Sequence, residues 1–129
     1  MSGPIVFISH FKIKDGKLDD LRRFAQETAE QIKADKPGTL VFLQYLNADA
    51  TEQSIVHVFP DAEAFDRHSE GAAERAKAAF EYITLVAREV YGSPSDKAMA
   101  MLRPPESSPS TLTLVPDHMG GYVRPSAPA

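Results

Sequence analysis

Two histidines stand eleven residues apart in "VHVFPDAEAFDRH", at His57 and His68. Histidine exchanges its proton near neutral pH, so a pair of them close to apolar residues has the makings of acid-base chemistry. His57 is flanked by valines, and burial lowers an imidazole's pKa, leaving the neutral ring free to take a proton from a phenol. The competing expectation is a core histidine hydrogen-bonded to a neighbour. His68 follows on a helix, either as an acid, base or orienting group at a pocket mouth or as a half-exposed helix residue. Spacing indicates no third ligand for these two and nothing resembles HExxH, so no metal site is expected. His10 and His118 rank lower, the first at a sheet end or on the helix side, the second in a loop. No glycine-rich phosphate loop, nucleophile elbow or nucleotide fingerprint is present. The chain has no cysteine, which excludes disulfides, thiolate metal sites and a cysteine nucleophile.

These residues have to be positioned by the elements around them. "PIVFISHFKI" (4–13) is β-branched and aromatic and reads as a strand ending at Asp15-Gly16. Leu18, Leu21, Phe24, Thr28 and Ile32 then recur at helical steps, and "KPG" (36–38) stops that helix. "TLVFLQYL" (39–46) and "QSIVHVF" (53–59) form a hairpin across a short polar loop. Asp61 is placed to cap a second helix, which Gly71 loosens and "AAERAKAAFEYITLVAREVYG" resumes to about Tyr91. A short helix at 96–102 is expected with Ser95 as its cap. The segment 103–129 holds six of the ten prolines. It reads as an extended arm with a fourth strand at "TLTLV" (111–115) and, at "GGYVRP" (120–125), a fifth strand or an arm.

The order β-α-β-β-α-β predicts a single α+β domain over 1–129. Its architecture is the ferredoxin-like split, a four-stranded antiparallel sheet with helices on one face. The strands are apolar on both faces. Along the hairpin, Leu43, Tyr45, Ile55, His57 and Phe59 are grouped on one side. Helices can cover only one face, which predicts that a second copy of the chain covers the other as a homodimer. At 129 residues, 43% hydrophobic, 25% charged and net −4, the chain has no electrostatic footprint for nucleic acid. It shows no signal peptide and no stretch of about 20 apolar residues, so a cytoplasmic protein that does not enter the membrane is expected.

"VFISHFKIKDGKLDDLRRFA", "KPGTLVFLQYL" and "VHVFPDAEAFDRH" together resemble the antibiotic biosynthesis monooxygenase family of dimeric α+β barrel proteins, over roughly residues 4–70. The resemblance implies two sheets facing each other in a dimer, with a cavity in each protomer. It also implies a monooxygenase that works without a cofactor on an aromatic phenol- or quinol-like molecule. By position, His68 matches the family's histidine on the second helix. Phe59 falls where haem-degrading relatives carry tryptophan and Ser9 where they carry asparagine, and both departures count against haem degradation. On this reading His57 is the base and His68 the second proton-transfer or orienting group, while Ser9, Tyr45 and Phe59 contact the substrate. The alternative is a non-catalytic small-molecule-binding or structural dimer of the same fold.

Overall fold

A computed structural model describes residues 3–124. Five strands and four helices follow in the order β1 (Ile5–Ile13), α1 (Leu18–Asp35), β2 (Val41–Leu46), β3 (Glu52–Phe59), α2 (Ala62–Ser69), α3 (Ala72–Ala79), β4 (Ile83–Tyr91), α4 (Asp96–Leu102) and β5 (Thr111–Val115). The strands form one open sheet in the order β2-β3-β1-β4-β5. The first four are antiparallel to their neighbours, which is the expected ferredoxin-like core. β5 is added parallel to β4 at the edge. No helix among the described residues is long and apolar enough to cross a membrane.

The fourth core strand is not the one the sequence suggests. The expected helix to Tyr91 stops at Ala79, and Ile83–Tyr91 is a strand beside β1, which makes "TLTLV" the fifth strand. The register of β1 on β4 slips between His10 and Phe11, so Val86 is an extra residue bulged out of the ladder. Inward positions of β4 therefore fall at Ile83, Leu85, Arg88 and Val90, and a 2-3-2 spacing imitates the steps of a helix. No strand forms over 120–124, and Pro125 lies outside the described residues.

Local chemistry sets most of the boundaries. The Asp61 carboxylate accepts the Ala64 N–H at 2.8 Å, and the Ser95 hydroxyl accepts that of Ala98 at 3.1 Å, so both caps act where their residue types suggest. Gly71, at φ 78°, separates α2 from α3. At Gly92, where β4 leaves the sheet at φ 105°, a Cβ would stand 2.7 Å from the Pro4 carbonyl oxygen. Only glycine lets the two backbones approach so closely. The core lies between the sheet and α2 and α4, built on Ile5, Phe59, Phe65, Val90, Ala98 and Leu102.

Candidate functional site

Cross-strand register arranges the helix-facing side of the sheet as rows. One row runs Phe42, His57, Phe7, Val90 across β2, β3, β1 and β4. The next runs Gln44, Ile55, Ser9, Arg88, and a third places Leu46, Gln53, Phe11 and Leu85 together. Helices α1 to α4 arch over these rows and leave a cavity of about 450 Å³. The space is kept open largely by α3, which turns Ala72, Ala76 and Ala79 toward the sheet where larger side chains would fill it.

At one end of the cavity the two histidines meet. Their ring centroids are 5.0 Å apart, edge to face. His57 is 6% exposed and His68 7%, so His68 is a buried residue rather than a half-exposed one. His57 is stacked with Phe7 at 5.1 Å and with Phe59 at 6.0 Å, and Phe42 meets it edge-on at 5.1 Å. Phe59 is itself fully buried behind the pair, 5.1 Å from His68.

Polar partners fix how each ring is held. His57 Nδ1 is 3.1 Å from the Phe7 carbonyl oxygen. A carbonyl only accepts, so Nδ1 carries the proton and donates, and Nε2 is the acceptor nitrogen. His68 Nδ1 is 2.7 Å from the Thr39 hydroxyl. The α2 terminus that carries His68 is clamped by cations. Lys36 Nζ donates to the carbonyls of Arg67 and Glu70 at 2.7 and 3.2 Å. Arg75 donates to those of His68 and Glu70 at 2.5 and 2.9 Å. Positive charge suits the carbonyl end of a helix.

These surroundings keep both imidazoles neutral. Burial among phenyl rings lowers the His57 pKa to about 4, with the Phe7 carbonyl opposing and Arg75 adding to the shift. Burial again comes first for His68, lowered to about 3, with further repulsion from His57, Arg75 and Lys36. At pH 7 the pair therefore offers lone pairs rather than charges.

Ser9, 4% exposed, lines the cavity one row from His57. Tyr45 does not belong with it. The hairpin register pairs Phe42 with His57 and Tyr45 with Ser54, so Tyr45 and Leu43 point to the opposite face, 56% and 47% exposed. The position expected of Tyr45 is taken by Phe42 and Gln44. Parity within a single strand cannot reveal which neighbour it aligns with. Here the Asn47 side chain sets it by accepting the N–H groups of Thr51 and Glu52, each at 2.9 Å. Sequence reasoning also missed Gln53, Arg75 and Arg88 on the cavity wall. Arg88 falls at an inward position of "ITLVAREVY" while its charged neighbour Glu89 faces out, which was a usable signal once that run is recognised as a strand. Among the described residues no group of three or more His, Cys, Asp or Glu could hold a metal ion.

The frame is an α+β ferredoxin-like sheet roofed by helices over a cavity lined with aromatic rings. Residues 4–81 match the family model for antibiotic biosynthesis monooxygenases, and the chain belongs to that family. Its fold is similar to that of MupZ from Pseudomonas fluorescens, at TM-score 0.74 and 20% identity over 98% of this chain and 99% of that one. SnoaB, a cofactor-independent oxygenase from Streptomyces nogalater, is similar at TM-score 0.59 and 19% identity, covering 72% of this chain and 95% of SnoaB. Rv0793 from Mycobacterium tuberculosis is similar at TM-score 0.60 and 17% identity over 73% and 98%. At these identities the likeness is one of fold. No curated protein matches the sequence.

Proposed function

We propose that this chain is a cofactor-independent monooxygenase acting on an aromatic, phenol- or quinol-like molecule in the cavity between sheet and helices. The observation that carries the reading is the neutral His57–His68 pair at the end of an apolar, ring-lined space. His57 Nε2 takes a proton from the substrate, and the resulting carbanion or enolate reduces oxygen directly. A C–O bond forms to give a hydroperoxide. Loss of water then leaves a carbonyl, so one oxygen atom stays with the product and the four electrons come from the substrate. Burial by itself makes His57 a weak base. A developing anion beside the ring favours its protonated form and offsets that burial. His68 orients the substrate or relays the proton, Ser9 contacts it, and Phe59 holds both imidazoles in place. Burial of the histidine end of the cavity keeps water from the carbanion.

The same reading has the chain work in the cytoplasm as a homodimer whose protomers meet on the sheet face away from the helices, where Leu43 and Tyr45 stand exposed. The test of the activity is oxygen uptake by metal-stripped protein against a panel of quinols and anthrones. Uptake that falls by about 100-fold or more in His57→Ala supports His57 as the base. Uptake unchanged by that substitution removes the base, and no uptake on any compound favours a module that binds a ligand without turning it over.

A further inference from the structure

The cavity wall carries two arginines and no aspartate or glutamate, in a chain whose net charge is −4. Arg75 sits at the α2 terminus, where its two hydrogen bonds go to carbonyls at the negative end of that helix. Arg88 is less well compensated. It donates one hydrogen bond to the Leu102 carbonyl, and its Nε is buried with no partner. Among the described residues it forms no ion pair, and burial lowers its pKa. A half-buried guanidinium without a carboxylate is costly to keep in a folded chain. It becomes favourable when an anion arrives, because charge-assisted bonds to a carboxylate are the strong ones. Directly across the ladder from Arg88 stands Ser9, a second donor on the same wall. Arg88 lies two strands and one row from His57, roughly 12 Å at Cα by ordinary sheet spacings. One fused aromatic ring system spans that interval.

We propose that the ligand of this cavity is an aromatic carboxylic acid, its carboxylate held by Arg88 and Ser9 and its rings lying against Phe7, Phe42 and His57. This rests on the cavity being a ligand site, as proposed above, and adds the charge of the ligand and the end at which it is read.

The experiment is calorimetric titration of the full chain with anthracene-2-carboxylate and with the matched anthracene-2-carboxamide, which differ in charge and hardly in shape. The carboxylate is expected to bind about tenfold tighter or more, the range of one charged hydrogen-bonded contact. Arg88→Gln should erase that preference while leaving carboxamide affinity near its original value, which also reports that the cavity is intact. Arg88→Lys should retain part of the preference and covers the case in which Arg88→Gln does not fold. Equal affinity for both probes in the unaltered protein overturns the carboxylate and leaves the cavity reading standing. Binding of neither overturns both. A preference that persists in Arg88→Gln removes Arg88 from the site.

Discussion

The two faces of this sheet each carry histidine, and they treat it in opposite ways. On the outer face His10 lies between Ser54, 2.9 Å from Nδ1, and the Glu89 carboxylate, 2.6 Å from Nε2. Glu89 also accepts the Tyr91 hydroxyl at 2.7 Å, the larger of the two hydrogen bonds that hold its pKa below the ordinary range. His10 thus has a carboxylate partner at a partly exposed position. On the inner face His57 and His68 see a carbonyl, a hydroxyl and phenyl rings, with two cations close by and no carboxylate among their hydrogen-bond partners. The same side chain, three residues apart in register across one ladder, has a carboxylate partner on one face and none on the other. Alternation along β1 and β3 is enough to separate the two environments.

That contrast can be broken from the inside first. Phe59→Ala removes the ring behind both imidazoles and should cost about 3–5 kcal/mol of unfolding free energy in a urea titration. A loss under 1 kcal/mol would mean that the inner face is loosely packed and the histidines are not held. Acid comes next. Well above pH 6.5 both histidines are neutral in the folded and unfolded chain alike. As pH falls below 6.5 the unfolded chain takes up protons that the folded chain refuses until about 4 at His57 and about 3 at His68, so stability declines. Between pH 6.5 and 5 the loss should be about 2 kcal/mol for each histidine, at roughly 1.4 kcal/mol per pH unit. His68→Gln should shed one proton's share of the slope, and a flat profile in the unaltered protein would show the pair to be solvated. The outer face should respond least in folding and most in assembly. Leu43→Glu is expected to change unfolding free energy by less than about 1 kcal/mol while shifting the sedimentation coefficient from that of a dimer to that of a monomer. An unchanged sedimentation coefficient would move the meeting surface elsewhere.

Much of this architecture was legible in residue types alone. Asp61 and Ser95 read correctly as caps because the cap rule depends on one side chain and its own helix. His57 and Ser9 fall on one face because each strand alternates, and β1 and β3 align without interruption. What failed needed information from a partner strand. The β4 bulge gave a strand the rhythm of a helix, and the hairpin register exchanged Tyr45 for Phe42 and Gln44 on the cavity wall. Half-exposed was one of the two readings of His68 because Asp66, Arg67 and Glu70 stand beside it in sequence, yet Phe42, Phe59 and His57 converge on it from β2 and β3.

The central position of β1 also bears on how the chain is made. Its two partners are residues 52–59 and 83–91, both well downstream, and the second pairing joins Val6 to Tyr91. During synthesis β1 therefore waits with one edge open until residue 91 has emerged, even after the hairpin has docked on the other. A half-finished sheet with an unpaired edge and an apolar underside invites pairing with its neighbours on the same messenger. Slow translation through residues 60–82 would lengthen that exposure, and rapid delivery of "ITLVAREVY" would end it.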